Sequence, residues 1–219
     1  MSDQNAPEWR NANGLRRSGR QRLVNAARAE LSASSAYSLL SYDELAAKVG
    51  MHPHAIRTMF PEEDDLLDAV NDLLVEECVT RLRHAIDQFE PEPTEDGRNA
   101  FLDASVCIAR AQPIDRSSLI IRAQRRLLAL RRYETAAAVV EGERRYALGL
   151  TDVLEELVRR LRRRFRHPSA AIRLIIGSYE RSYEAWLIGG GADDRFHESP
   201  FVQTTLPELL RDLTADPRE

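Results

Sequence analysis

The side chains best suited to chemistry lie in one short stretch of the sequence, from His52 to Thr58. It combines two imidazoles with the guanidinium of Arg57 and a hydroxyl. His52 and His54 flank a proline and could begin a metal site, but no cysteine or carboxylate stands nearby at a spacing that would complete four ligands. The stretch therefore predicts hydrogen bonding to a polar partner, and no metal is expected.

Motifs for catalysis and cofactor binding do not occur in this sequence. There is no glycine-rich phosphate loop, no nucleophile elbow and no helix with paired histidine or carboxylate ligands. Cys78 and Cys107 both lie in apolar stretches with helical periodicity, which predicts buried thiols in a reducing compartment. The sequence therefore predicts a protein that is not an enzyme and that needs no cofactor.

Charge is unevenly distributed along the 219 residues. The net charge is -4, yet residues 1–60 carry eight basic and five acidic side chains. A basic front segment is equally compatible with a solvated surface and with an anionic partner such as a nucleic acid.

No run approaches the roughly 20 apolar residues that span a bilayer, and the first residues lack the apolar core of a signal peptide. We therefore expect a cytoplasmic protein without membrane contact.

Apolar residues recur at helical spacing through most of the chain, and no segment alternates in the manner of a strand. These patterns predict an all-α fold of about nine helices. Residues 1–18 are polar and without periodicity, which predicts a flexible basic arm containing Arg16 and Arg17. The expected helices begin near Arg20, Ser41, Pro53, Glu62, Asp96, Arg116, Tyr133, Pro168 and Phe201.

Three short helices follow the arm and form a compact unit, predicted over residues 19–62. Ser41 and Glu44 have the spacing of a capping box at the start of the second helix. Gly50 then punctuates its end, and Pro53 suits the first position of the third helix. A unit of this kind can place its third helix in the major groove of DNA. The same arrangement serves packing alone in many helical proteins, so spacing by itself leaves both interpretations open.

The residues of this unit form a longer pattern. The stretch Ser41–Met51 is followed by Ile56, by Phe60-Pro61 and by Leu66-Leu67. This pattern resembles the N-terminal domain of the tetracycline-repressor (TetR) family. The resemblance implies a DNA-binding transcriptional regulator. It also implies a helical body, residues 63–219, that binds a small-molecule effector and forms a homodimer through its last two long helices.

The resemblance assigns roles to individual residues of the third helix and its surroundings. Imidazole, guanidinium and hydroxyl groups can hydrogen-bond to base edges, and Ala55 can pack on a thymine methyl. A dimer of such units requires a near-palindromic stretch of double-stranded DNA. Residues expected to face bases are His52, His54, Ala55, Arg57 and Thr58, and those expected near phosphates are Arg16, Arg17, Arg20, Ser41 and Lys48.

Three positions depart from the family pattern. Arg57 stands where Tyr is usual, His54 where Gly is common, and Glu63 where a phosphate-binding Lys usually begins the fourth helix. Arg57 can replace the lost hydroxyl as a donor, but Glu63 belongs to the acidic run 62–65, which would repel phosphates. The alternative is therefore a dimeric helical ligand sensor whose helix-turn-helix does not bind DNA.

The helical body offers a candidate dimer seam and a candidate ligand pocket. The seam consists of apolar residues at spacings of three and four, for which an intramolecular core is the alternative interpretation. Its members are Ile172, Ile176, Tyr179, Trp186, Leu206, Leu209, Leu210 and Leu213. The pocket is predicted to be lined by Phe101, Cys107, Arg110, Arg122, Tyr146 and Tyr183, each of which also suits the core or the surface. Arg110 and Arg122 could meet an anionic ligand.

Residues 159–166 hold six arginines in eight positions and form the densest basic feature of the sequence. Such a run could contact nucleic acid or a membrane surface. We interpret it instead as the C-terminus of a seventh helix that runs from Tyr133 to Arg166. Cations suit the dipole at that end, and Glu155 and Glu156 lie one turn away for pairing.

Overall fold

The computed structural model describes residues 8–33, 41–91 and 98–217. The predicted all-α fold is confirmed, since these residues form nine α-helices. No helix in the described ranges is both long and apolar enough to cross a membrane. The helices are α1 Glu8–Ala33, α2 Tyr42–Val49, α3 Pro53–Met59, α4 Glu63–Asp87, α5 Arg98–Arg110, α6 Arg116–Arg131, α7 Ala136–Arg160, α8 Pro168–Ile188 and α9 Leu206–Leu213.

Short elements connect the later helices. A 3₁₀ turn over Tyr133–Thr135 leads into α7, and a second one spans Asp193–Glu198. A π-helical turn over Phe201–Thr205 runs directly into α9. Two-residue strands, β1 (Arg164–Phe165) and β2 (Thr214–Ala215), pair in antiparallel fashion. The sequence did not predict this ribbon, because two residues are too few for strand periodicity to show.

The first helix begins earlier than the sequence predicts. Its first residue is Glu8 rather than Arg20, so residues 8–18 are helical and do not form an irregular arm. Gly14 and, just after this stretch, Gly19 each cost about 1 kcal/mol in a helix interior, and they interrupt the apolar periodicity on which the prediction depended. The side chains of Arg16 and Arg17, predicted to contact phosphates, lie outside the described residues.

Two hydrophobic cores organise the molecule, and α4 contributes to both. The N-terminal core joins α1, α2 and α3 to the first half of α4, whereas the body core joins its second half to α5, α7, α8 and α9. Leu66 and Leu74 of α4 pack in the first core, and Cys78 and Ile86 pack in the second. The N-terminal core thus continues past residue 62.

The arginine run takes a different path from the predicted one. α7 ends at Arg160, and Arg162 adopts a left-handed backbone with φ of 56°, so the chain leaves the helix there. Arg163 donates from Nη2 to the carbonyl of Thr214 at 3.1 Å. The first two arginines pair with Glu156, as predicted. The end of the run therefore anchors the C-terminal strand and does not extend α7.

Candidate nucleic-acid interface

The turn between α2 and α3 is fixed by capping. Ser41 Oγ accepts a hydrogen bond from the Glu44 amide at 3.3 Å, which confirms the predicted N-cap of α2. Gly50 ends the helix in the left-handed region, with φ of 65°, where a residue with a Cβ would be strained. The Met51 amide donates to the carbonyl of Ala46 at 3.0 Å and closes the cap. Local sequence therefore sets the direction in which the chain enters α3.

The seven-residue helix α3 is held by its inner face. Ile56 is fully buried, and Phe60, which follows the helix, is almost fully buried. His52 caps the start, because its Nδ1 accepts from the His54 amide at 3.2 Å, and Pro53 occupies the first turn. With Nδ1 accepting, the neutral His52 ring carries its proton on Nε2, which can donate to a further acceptor.

The outer face of α3 carries the residues predicted to contact bases. His54, Arg57 and Thr58 are exposed, and Ala55 is partly exposed. The Thr58 hydroxyl donates to the carbonyl of His54 at 2.9 Å, which leaves its oxygen as an acceptor. Arg57 lies 3.9 Å from Asp43 and keeps 57% of its side chain exposed. An ion pair this exposed stabilises little, so the guanidinium can exchange Asp43 for another anion.

Tyr42 ties the start of α2 to the end of α3, a role that the sequence did not reveal. Its hydroxyl donates to the carbonyl of Phe60 at 3.1 Å. Burial, reinforced by the carboxylates of Glu63 and Asp65, raises the pKa of Tyr42 to about 12. The phenol therefore stays neutral and keeps its donor at physiological pH. An aromatic residue directly after the N-cap of α2 is the signal that could have identified it.

The basic side chains predicted near phosphates differ in their surroundings. Arg20 is exposed, with its guanidinium carbon 4.7 Å from the centre of the Phe60 ring. This cation–π contact places a positive charge at the surface beside the end of α3. Lys48 instead forms an ion pair with Glu30 of α1, which a phosphate would have to displace. Arg20 is therefore the more accessible of the two cations.

The acidic run at the start of α4 is partly engaged within the protein. The Glu62 amide donates to Asp65 Oδ2 at 3.2 Å, as in an N-terminal cap. Asp64 lies 3.9 Å from the guanidinium of Arg132 at the end of α6. Burial raises the pKa of Glu63 and the pKa of Asp64 above their ordinary values. These carboxylates stand where the dipole of α4 favours negative charge. Their presence is therefore explained by the helix itself and does not depend on DNA.

Helix α6 connects this unit to the helical body. Ile121 is fully buried in the N-terminal core, and the almost fully buried Arg125 donates from Nε to Asp68 Oδ1 at 2.9 Å. The Arg125 guanidinium lies against Gly142 of α7, where an added Cβ would come within 2.9 Å of Nη2. α6 therefore contacts α4 on one side and α7 on the other.

A cavity of about 600 Å³ lies between α6, α7 and α8. Two of the predicted pocket residues, Arg122 and Tyr146, line it. The Arg122 guanidinium lies 4.0 Å from the centre of the Tyr146 ring and pairs with Glu143 at 2.5 Å and with Glu180 at 2.8 Å. The sequence did not single out the two glutamates, because only the fold brings α7 and α8 together beside α6.

The other four predicted pocket residues do not line this cavity. Cys107 and Arg110 line a separate groove between α4 and α5. Phe101 packs against the body core, and Tyr183 is buried with its ring centre 4.9 Å from that of Phe196. Helical periodicity shows which residues share a face, but it does not show whether that face meets a cavity or a neighbouring helix.

The predicted dimer seam lies in the chain's own core. Four of its residues are buried in the body core, namely Ile172, Tyr179, Leu206 and Leu210. The other four pack against that core and are partly buried, namely Ile176, Trp186, Leu209 and Leu213. The four buried residues therefore belong to the intramolecular core, and a role in the dimer stays a prediction for the four partly exposed ones. On the outer face of α8, the large apolar residues that are exposed are Leu174, at 45% exposure, and Ile188, at 80%.

Comparison with known proteins gives matches at the level of structure. No family model and no curated protein matches the sequence. A TetR-family transcriptional regulator from Mesorhizobium loti superposes with a TM-score of 0.65 at 14% identity, covering 90% of this chain and 96% of that one. A TetR transcription regulator from Haloarcula marismortui gives a TM-score of 0.62 at 14% identity, with coverage of 90% and 99%.

A third solved structure shares this architecture and was determined with a ligand. FadR from Bacillus subtilis, a transcriptional regulator in complex with stearoyl-CoA, gives a TM-score of 0.59 at 16% identity, covering 87% of this chain and 96% of that one. The chain therefore has the fold of TetR-family transcriptional regulators, with an N-terminal helix-turn-helix unit and a helical C-terminal body.

Proposed function

We propose that this chain is a TetR-family transcriptional regulator that binds a specific DNA sequence through α3. The observation that carries the proposal is the exposed polar face of α3, which the buried Ile56 and the hydrogen bond of Tyr42 hold in place. The fold supports the same proposal, because a helix-turn-helix unit presents its second helix to the major groove. No catalytic role is proposed.

In the proposed complex, α3 reads base edges while neighbouring groups contact phosphates. His54, Arg57 and Thr58 supply donors and an acceptor along one short helix. We expect Arg20 and Ser41 to contact the phosphate backbone beside it. Losing one base contact should cost about 1–3 kcal/mol at one operator position, whereas losing a phosphate contact should weaken binding to every sequence.

We also propose that two copies associate, because one helix-turn-helix unit reads only half of a palindromic operator. The outer face of α8 is the surface we assign to this contact. Ala170, Leu174, Ala185 and Ile188 lie on one side of the helix and are exposed. We prefer this face to the seam predicted from the sequence, because half of that seam, namely Ile172, Tyr179, Leu206 and Leu210, is buried within the chain.

The dimer is tested by light scattering on two matched leucine variants. Leu174→Glu should convert a dimeric mass into a monomeric one, because a charge would be buried at the contact. Leu130→Glu, at an exposed position near the end of α6, should leave the mass unchanged. A monomeric mass for the wild-type protein would contradict the association.

We propose that a small molecule in the cavity between α6, α7 and α8 releases the protein from its operator, so that it acts as a repressor. α6 supports this coupling, since Arg122 lines the cavity while Arg125 pairs with Asp68 of α4. Coupling of this kind is typically about 1–3 kcal/mol. Two similar folds were solved with small molecules, FadR with stearoyl-CoA and the multidrug binding protein EbrR with imidazole.

The DNA-binding proposal is tested by selecting duplexes from a random pool with the purified protein and titrating the selected duplex with salt. Wild-type protein should enrich a near-palindromic site and bind it with steep salt dependence. Arg57→Ala should lower the affinity, and it should also flatten the salt dependence because the guanidinium stands where the family has a phosphate-contacting Tyr hydroxyl. Arg83→Ala, an exposed arginine about 30 Å along α4 from its start, should change neither.

Failure of the selection would favour the alternative function. If no sequence is enriched even at low salt, the chain is better described as a ligand-sensing dimer that does not bind DNA. Glu63 motivates this alternative, because it stands where the family usually has a phosphate-binding Lys.

A further inference from the structure

The cavity between α6, α7 and α8 is long. Its lining runs from Glu143 to Thr151 on α7 and from Ser169 to Glu180 on α8, which corresponds to about 12 Å and about 16 Å of helix. Glu143 and Glu180 lie at one end, because both pair with Arg122. Thr151 and Ser169 belong to the opposite end, so the cavity is an elongated groove with two distinct ends.

The end that contains the glutamates is electrically balanced, since Arg144, which also lines it, pairs with Glu141 at 2.8 Å. Glu143 and Glu180 each contact both Arg122 and Arg126, with nitrogen–oxygen distances between 2.5 and 3.3 Å. Glu180 is also buried. A cationic ligand would have to displace a guanidinium from one of these carboxylates, so one ion pair would be broken for each one formed. This end therefore does not favour a cation.

The opposite end carries an unbalanced positive charge. Arg173 lines the cavity one turn beyond Ser169, is exposed, and has no carboxylate oxygen within salt-bridge distance among the described residues. Thr151 and Ser169 line the same end. The Thr151 hydroxyl already donates to the carbonyl of Ala147 at 2.8 Å, so Ser169 is the hydroxyl that can donate to a ligand here. Ser169 belongs to the first turn of α8, where the helix dipole favours negative charge. This end therefore suits an anionic group.

The wall between the two ends is apolar. It is formed by Ala147 and Leu148 of α7 and by Ile172 and Ile176 of α8. Leu148 leaves 53% of its surface exposed, so this wall offers apolar surface that a bound molecule would remove from water. A ligand that matches the whole groove would have a charged head and an apolar chain.

We propose that this cavity binds an elongated anionic amphiphile, with its head on Arg173 and its chain along Leu148 and Ile176. The regulatory role of this ligand rests on the proposed function, whereas its binding to the protein does not. Arg122 and Arg126, through their pairs with Glu143 and Glu180, close the groove at the end where the ligand's apolar chain would terminate. Arg173 favours a negatively charged head.

The test compares three probes that share a decyl chain, namely decanoate, decanol and decyltrimethylammonium. Isothermal titration calorimetry on the full chain, without DNA, measures the affinity for each. Decanoate should bind at least about tenfold more tightly than decyltrimethylammonium, with decanol between them. The shared chain keeps the apolar contribution constant, so the comparison isolates the charge of the head.

Three variants locate the two parts of the ligand. Arg173→Gln should weaken decanoate about tenfold and leave decanol unchanged, because only the head loses its partner. Arg83→Gln, an exposed α4 arginine outside the lining, should change neither affinity. Gly177→Leu should weaken both probes by narrowing the cavity. A Cβ at Gly177 would meet only the Arg181 guanidinium, 3.7 Å away, so this variant should fold.

Three results would overturn the proposal: no binding of decanoate, equal or tighter binding of the ammonium probe, or unchanged decanoate affinity in Arg173→Gln. Because these titrations contain no DNA, their failure leaves the selection of an operator intact. Decanoate that binds without releasing the selected duplex would support the ligand class and contradict the release mechanism.

Discussion

Two arginines beside α3 and two buried arginines of α6 are used in opposite ways. In the N-terminal unit, Arg20 and Arg57 lie at the surface, and the carboxylate nearest to Arg57 is 3.9 Å away. In the body, the side chains of Arg122 and Arg125 are 6% and 2% exposed, and each pairs with a carboxylate. An exposed guanidinium keeps its charge for a partner molecule, whereas a buried one is stable only while its ion pair is intact. The comparison separates residues that should control DNA affinity from residues that should control folding.

The largest effect on folding is expected for Arg125→Ala. The change leaves Asp68 without its partner and opens a void beside Gly142. Breaking a buried ion pair costs about 3–5 kcal/mol, and the lower end, about 3 kcal/mol, is expected because Asp68 is partly exposed. Urea denaturation measures the loss. Arg144→Ala is the matched control, since Arg144 and Glu141 form an exposed pair and the free energy of unfolding should hardly change. Equal losses in the two variants would contradict the comparison.

A smaller loss is expected for Tyr42→Phe. Removing the hydroxyl deletes the hydrogen bond to Phe60 and leaves that carbonyl without its donor. The expected decrease in the free energy of unfolding at pH 7 is about 1 kcal/mol. Tyr133→Phe serves as the control, because Tyr133 is 91% exposed. A Tyr42→Phe protein as stable as the control would show that this bond does not anchor α3.

The difference between wild type and Tyr42→Phe should depend on pH. The pKa of Tyr42 is raised from 10.0 to about 12 in the folded protein, so the neutral phenol stabilises the fold below pH 10. This contribution is lost as the pH rises from about 10 towards 12. Urea denaturation between pH 8 and pH 11 should therefore show the advantage of the wild type shrinking. The other tyrosines titrate in both proteins and cancel, and a constant difference would contradict the raised pKa.

The smallest effect on folding is expected for Arg57→Ala. Its exposed pair with Asp43 is long, so the free energy of unfolding should change by less than about 0.5 kcal/mol. The same variant should bind the selected operator more weakly than the wild type does. A loss of stability comparable to that of Arg125→Ala would place Arg57 among the structural arginines and remove the distinction between the two pairs of arginines.

The short helices of the N-terminal unit could be predicted because their signals are local. Ser41, Gly50 and Pro53 each act on the backbone within one turn, so their effects are visible in a few consecutive residues. The position of α3's outer face follows from Ile56, which must turn inwards. The predicted start of α1 was wrong, because the first turns of this helix contain glycine and polar residues and its apolar face begins further along the chain.

The body could be predicted as helical, but its site could not. The same periodicity arises whether an apolar stripe packs within one chain or between two, so Tyr179 and Leu210 gave no sign that they are covered by their own chain. Likewise, Arg122 and Glu180 stand far apart in the sequence and meet only when α6 and α8 pack together. A buried ion pair of this kind leaves no local pattern.

The ribbon between β1 and β2 joins the two ends of the segment that contains α8 and α9. The Arg166 amide donates to the carbonyl of Leu213 at 3.0 Å, and the strands pair beside it, so the segment that contains α8 and α9 is closed into a loop by its own ends. Detachment of β2 breaks the hydrogen bond of Arg166, two residues before α8 begins, so we expect the ribbon and the start of α8 to open together. The amides of Arg166 and of Ala215, which pairs with Arg164, should therefore exchange their protons together, as members of one opening unit that includes the wall of the cavity.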